Sequence, residues 1–246
     1  MAVHFLLTND DGIDHPGLAA LERAMSPLGS TTVVAPHKAL SGCSHQVTVS
    51  SPLQLKEAGV NRHTLDGTPA DCTRVGLTHV APRCDWVISG INAGGNLGVD
   101  VYMSGTVAAV REAVLLGRRG IAFSHYRRRK STIDWQRAQR WTEQIARTLM
   151  DRRCPQGCFW NVNLPHLDDT DKLPEIVFCP LDPNPLPVRY RTEAGKLHYH
   201  ARYQDRQRDE GCDIDVCFSG RIAATLVSVT SPPSSTIEIE TSGGPG

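Results

Sequence analysis

The chain reads as a single α/β domain built on a doubly wound, mostly parallel, Rossmann-like sheet, with antiparallel β arms or hairpins toward the C-terminus. Two observations predict the sheet. From the start to about Leu164, short apolar runs alternate with amphipathic stretches, and the first run is continuous enough to suit a strand buried on both faces. A third observation predicts the arms: after Pro165 prolines crowd positions 174–187, and short alternating segments follow. A length of 246 residues suits one sizeable core. The expectation is therefore one domain over 1–246, with an α/β core at 1–165 and a β-rich extension at 166–246 for oligomer contacts.

In order, Val3–Leu7 is the first strand, and Gly17–Met25 a short helix with an apolar stripe at Leu18, Leu21 and Met25. The β-branched run Thr31–Ala35 is a second strand, stopped at Pro36. Thr68 and Pro69 form an N-cap and first helical residue, for a helix running to about His79. Asp85–Ser89 is a buried strand, Thr106–Leu116 a helix and Ile121–Ser124 a strand. Trp135, Ala138, Trp141, Ile145 and Leu149 mark the core face of a longer helix, and Phe159–Leu164 closes the core as a strand. Val188–Tyr190, Leu197–Tyr203, Ile222–Val229 and Thr236–Glu240 read as the arms.

Lys+Arg and Asp+Glu both number 26, with a sequence pI near 7.1, so nothing in the charge balance favours a nucleic-acid polymer or an anionic membrane as partner. No apolar stretch approaches the roughly 20 residues that span a bilayer, and the start lacks a basic leader, so a soluble, cytoplasmic protein is expected. The eight cysteines are spread from Cys43 to Cys217 without a CxxC pair. They read as reduced structural thiols rather than as zinc ligands with His198 and His200.

The chemistry starts at Thr8–Asn9–Asp10–Asp11–Gly12, where the first strand ends. In an open α/β sheet ligands bind outside the carboxyl ends of the strands. A turn at Gly12 can bring both carboxylates to one point, where they repel unless protonated or bound to a hard cation. An Asp-rich turn capping a helix is the alternative. Ser41–Gly42–Cys43–Ser44, after the second strand, offers a hydroxyl to a metal or phosphate, or is an ordinary turn. Ser89–Gly98, continuing to Ser104–Gly105–Thr106, puts glycines and asparagines after a buried strand and then opens a helix. Free N–H groups at such a start bind anions without a lysine.

These segments together (TNDDGIDHPG, APHKALSGCSH, GTPADC and SGINAGGNLGVDVYMSGTVAAVREA) resemble the SurE family in order and spacing. NVNLP at 161–165 and GCDIDV at 211–216 resemble weaker motifs of the same family. The resemblance covers nearly the whole chain. It implies a metal-dependent nucleotidase acting on nucleoside monophosphates, one divalent cation per subunit (Mg²⁺ or Mn²⁺), and a homodimer or homotetramer. Carried over by position, it implies metal ligation by Asp10, Asp11, Ser41 and Asn92, and phosphoryl binding by Asn96, Ser104, Gly105 and Thr106. The chain departs from the family at His15 and His37, where Ala and Asp are frequent, at Gly95 for a common proline, and at Cys212 for a frequent threonine.

The expected reaction is hydrolysis of a phosphomonoester by water activated at the cation, with Asp10 or Asp11 taking its proton. A covalent aspartyl-phosphate is the competing route, though adjacent aspartates favour ligand roles. His15, His37 and His45 lie on loops of the same face, and none is an obvious proton donor to the leaving alkoxide. An exopolyphosphatase would use the same site plus a basic track such as Arg127–Lys130, and a non-catalytic nucleotide-binding module would leave the acidic pair unexplained.

Overall fold

The structure is a computed structural model that describes residues 3–128, 131–168, 172–200 and 203–230. Among the described residues eleven strands and five α-helices follow one another. The expected core elements are all present: β1 (His4–Thr8), α1 (Pro16–Met25), β2 (Ser30–Pro36), α2 (Pro69–Val75), β5 (Trp86–Asn92), α3 (Gly105–Leu115), β6 (Arg119–His125), α4 (Trp135–Met150) and β7 (Cys158–Leu164). Capping explains several starts. The Thr68 hydroxyl accepts from Asp71 N while the Asp71 carboxylate accepts from Thr68 N, a reciprocal box before Pro69. Asp134 accepts from Gln136 N and Arg137 N to open α4. A π-helical turn, Gly76–Val80, carries α2 on to the length expected from sequence.

Nine strands form one sheet in the order β3-β4-β2-β1-β5-β6-β7-β11-β8, where β3 is Leu55–Gly59, β4 Arg62–Leu65, β8 Ile176–Phe178 and β11 Ile222–Ser228. The pairings from β4 through β2, β1, β5 and β6 to β7 are all parallel. The chain winds outward from β1 to β2 and β4, then returns to β5 on the other side of β1. The topological switch therefore lies between the carboxyl ends of β1 and β5. The core on one face joins Phe5, Leu7, Leu18, Leu21, Ile88, Phe123, Trp141 and Ile145 beneath α1 and α4. Phe5, Leu7 and Phe123 are at 0% exposure, each worth roughly 2–3 kcal/mol of burial.

Several features differ from the expectation, which includes neither β8 nor the short helix before β11. Ile222–Val229 reads as one of the antiparallel arms or hairpins; β11 does pair antiparallel with β7, but it also pairs parallel with β8 and is a strand of the main sheet. Its first four residues are all buried because both faces are covered: Ile222 joins the core beneath α1 and α4, and Ala223 a second cluster with Ile214, Val216 and Cys217. The β3–β4 hairpin has no sequence signature, since β3 is exposed at every position. The arm that does form is the antiparallel pair β9 (Tyr190–Glu193) and β10 (Lys196–Tyr199), exposed throughout. A short helix, α5 (Asp213–Phe218), precedes β11. The expected strand Thr236–Glu240 lies outside the described residues. Among the described residues no helix is long and apolar enough to cross a membrane.

Candidate active site

The acidic turn sits at the carboxyl end of β1, beside the switch point. Gly12 adopts φ +99°, and the side chain of Asn9 donates to Gly12 O at 2.8 Å, so the turn is folded back on its own start. Ile13 N bonds to Pro36 O at 2.9 Å and ties the turn to the end of β2. Asp10 is 6% exposed, and its Oδ1 accepts the Thr106 hydroxyl at 2.5 Å. Burial pushes the Asp10 carboxyl up to about 6; the Asp11 charge adds to the rise, while the Thr106 hydrogen bond opposes it. Asp11 is half-buried, with Oδ2 at 3.4 Å from Ala93 N after β5 and at 3.5 Å from His15 Nδ1. That ring nitrogen accepts from Gly17 N at 3.1 Å, so His15 caps α1 with the same atom it turns toward Asp11.

The next segment is drawn over the acidic turn by the bond from Leu40 N to Asp10 O, 2.8 Å, which brings the exposed Ser41 to the rim. His45 holds its far end, with Nε2 at 2.7 Å from Glu112 on α3; Glu112 also accepts from Arg74 Nε at 2.6 Å. Opposite, Ser104 caps α3 by accepting from Val107 N at 3.1 Å, which leaves its own hydroxyl proton free to face the cavity. Gly105 is required here, because a Cβ would stand 2.9 Å from Asp10 Cβ and 3.1 Å from both Asp10 Oδ2 and Cys43 Sγ. The carboxylate and the helix start are therefore in direct contact.

The glycine loop after β5 is fixed from afar. Asn96 N donates to Asn163 Oδ1 at 2.8 Å, and Asn96 O accepts from Asn161 Nδ2 and Asn163 Nδ2 at 2.9 and 3.0 Å. The Asn96 side chain donates to Ser124 Oγ at 2.7 Å. Gly98 N donates to Asp213 Oδ2 at 2.8 Å, and Arg206 reaches Leu97 O at 3.2 Å while pairing with Asp100 at 2.5 Å. Tyr203 donates to Asp100 Oδ2 at 2.7 Å. Asp213 is fully buried and its carboxyl is pushed up to about 6 by that burial, against the amides of Gly98 and Asp182 that favour its charged form. None of these anchors is evident from a periodicity search. The signal that finds two of them is Asn161 and Asn163, two apart and so on one face of an otherwise apolar buried strand.

Seven of the eight expected site residues (Asp10, Asp11, Ser41, Asn92, Asn96, Ser104 and Gly105) line one cavity of about 360 Å³, with Asp100, Met103 and Tyr203. Thr106 stands behind it, fully buried, with its hydroxyl spent on Asp10. His37 is exposed outside the cavity lining and His45 is engaged with Glu112. The donor set suits a hard cation: burial and Asp11 both disfavour the charged form of Asp10, and a cation would reverse both effects. Asn92 spends its side-chain N–H on Gly94 O at 2.9 Å, which leaves its oxygen as the outward acceptor. Among the described residues no group of three or more His, Cys, Asp or Glu is placed to hold a metal, so an ion here would depend on the neutral oxygens of Ser41 and Asn92 as well.

The family model of Survival protein SurE matches residues 5–184. A provisionally named 5'-nucleotidase of Synechocystis sp. is 50% identical over 92% of this chain and 100% of its own. The 5'-nucleotidase SurE 1 of Thermus thermophilus is 37% identical, with 92% of each chain covered. Among solved structures, the SurE protein of Aquifex aeolicus aligns with a TM-score of 0.81 at 30% identity, over 94% of this chain and 95% of that one.

Proposed function

This chain belongs to the SurE family, and on that premise we propose that it is a divalent-metal-dependent 5'-nucleotidase, hydrolysing nucleoside monophosphates to nucleoside and phosphate. The observation that carries the reading is the contact between a buried carboxylate, Asp10, and the open start of α3 at Gly105, across one polar cavity. A cation held by Asp10, Asp11, Ser41 and Asn92 would supply Lewis acidity and neutralise charge on the transferring phosphoryl group. The chain's own residues do the rest. The Gly105 amide and the Ser104 hydroxyl face phosphoryl oxygens at the positive end of an 11-residue helix. The second side-chain N–H of Asn96, whose first is held by Ser124, adds a donor. Asp10 or Asp11 would take a proton from attacking water, and the Thr106 hydroxyl bonded to Asp10 supports that role for Asp10 by fixing its orientation.

The exposed β9–β10 hairpin, with Tyr190, Leu197 and Tyr199 at 59–70% exposure, supports its use in a homodimer or homotetramer. Eight free thiols suit a reducing cytoplasm. The test is phosphate release from a panel of nucleoside monophosphates and short polyphosphate with Mg²⁺, Mn²⁺ or chelator, beside Asp10→Asn. Release that requires metal and is lost in the variant is expected. Absence of release with either metal would overturn the assignment, and faster release from polyphosphate would move the substrate class.

A further inference from the structure

The active-site cavity is lined mostly by polar residues and glycines, and Met103 is the largest aliphatic side chain on it. Its side chain lines the cavity and is 48% exposed, and the neighbouring Tyr102 is 65% exposed. Single exposed apolar residues are ordinary on protein surfaces, so exposure alone assigns nothing. Two further observations separate this pair from a loose loop tip.

The first is position. Met103 is the residue immediately before Ser104, the N-cap of α3, so an apolar surface adjoins the end of the cavity where the phosphoryl group is proposed to sit. The second is rigidity. Met103 N bonds to Asp100 O at 3.0 Å, and Ser44 Oγ donates to Tyr102 O at 3.0 Å. Arg111 donates to Val101 O at 2.6 Å and holds its guanidinium 5.9 Å from the centre of the Tyr102 ring. The backbone presenting the two side chains is anchored from three directions before any ligand arrives.

The aromatic residue that lines the cavity, Tyr203, is already engaged. Its hydroxyl is committed to Asp100, Arg206 lies 4.9 Å over its ring, and Tyr126 stacks beside it at 6.3 Å. A flat, weakly polar group leaving the phosphate site therefore meets apolar surface first at Met103, with the exposed Tyr102 ring, which carries Arg111 on one face, beside it. A nucleobase has that character, and both thioether and phenol pack favourably on an aromatic face.

We propose that Met103, with Tyr102 beside it, forms the lip on which the substrate's base packs and so sets the preference for nucleotides over phosphate esters that lack a base. This rests on the nucleotidase reading above.

The test compares AMP with ribose 5-phosphate, which keeps the sugar and phosphate and lacks the base. In the wild type, AMP should have the lower KM, and Met103→Ala should raise that KM about tenfold, the scale of one lost base contact. Ribose 5-phosphate should change less than about twofold, Tyr102→Ala should act in the same direction, and Met103→Leu should recover most of the loss. Equal losses on both substrates, or a wild type indifferent to the base, would overturn the lip. Equilibrium binding of the same two ligands, run in parallel, keeps the two readings apart. If neither is hydrolysed, the nucleotidase reading fails, while tighter binding of AMP that disappears in Met103→Ala still supports the lip and its absence sinks it.

Discussion

The two halves of the candidate site are built by different means. The backbone of the acidic turn is held by β1, the end of β2 and the loop after it: Asn9 on Gly12, Ile13 on Pro36, and Leu40 on Asp10. The glycine loop is held by residues 28 to 115 positions away, on β6, on β7 and in the C-terminal segment through α5. The first geometry follows from strand order, because β1, β2 and β5 are neighbours with their carboxyl ends on one edge. The second depends on a buried polar network in which each member leaves a partner unsatisfied if removed. Damage should therefore be abrupt and local in the acidic turn, and graded and dispersed in the loop.

The largest effect is expected where the halves touch. Gly105→Ala places a methyl group 2.9 Å from Asp10 Cβ, closer than real Cβ atoms stand, so that either Asp10 or the helix start must shift. Phosphate release should fall by about 10²–10³, the scale of one misplaced transition-state contact, with an unchanged circular dichroism spectrum. Activity within a few-fold of wild type would show that the contact is slack. In the loop, Asn163→Leu removes a donor and an acceptor from the backbone of Asn96 at once. The expected loss is about 10–100-fold, as for supporting residues around metal sites, accompanied by a lower urea midpoint. An activity loss with no stability change would place Asn163 in direct contact with substrate instead.

The same division explains what could be read in advance. The acidic pair, the Ser cap of α3 and the central strands were legible because their signals are local: an apolar run, a capping hydroxyl, a turn glycine. So was the assembly of seven site residues into one cavity, through a family resemblance that fixes which loops meet. Arg206, Tyr203 and Asp213 were not legible. A buried charge has no periodicity, and nothing in GCDIDV says that its first aspartate reaches Gly98. The position of β11 is not legible for a related reason: Ile222–Val229 alternates as an arm would, and only its pairing with β7 on one side and β8 on the other places it inside the sheet.

The loop's dependence on a buried acid also has a pH signature. The Asp213 carboxyl titrates at about 6 in the fold against 3.8 ordinarily, so between those values the folded state holds a proton that the unfolded state has released. Stability conferred in this way is present below 3.8 and is lost as pH rises through 6, by an amount of order 3 kcal/mol. Urea unfolding of the chelated protein at stepped pH should show that decline, and Asp213→Asn should flatten its share. A variant with an undiminished slope would assign the proton to another group, Asp10 being the other carboxyl that burial pushes up to about 6.

The smallest effect is expected at the far anchor of the Ser41 segment. His45 lies against Glu112, which looks like a buried charge dependent on a single partner, yet Arg74 binds the other carboxylate oxygen at 2.6 Å. His45→Ala therefore leaves Glu112 compensated. The segment also keeps two more ties, from Thr48 to Asp71 at 2.7–2.8 Å and from Thr68 to Gln46 O at 2.6 Å. Since Ser41 is one proposed ligand of four, the loss should be a few-fold rise in the Mg²⁺ or Mn²⁺ concentration for half-maximal activity, with saturated kcat nearly unchanged. A large fall in kcat at saturating metal would mean that the segment is not redundantly held. The acidic side would then depend on single remote contacts as much as the glycine loop does, and the contrast between the two halves would be lost.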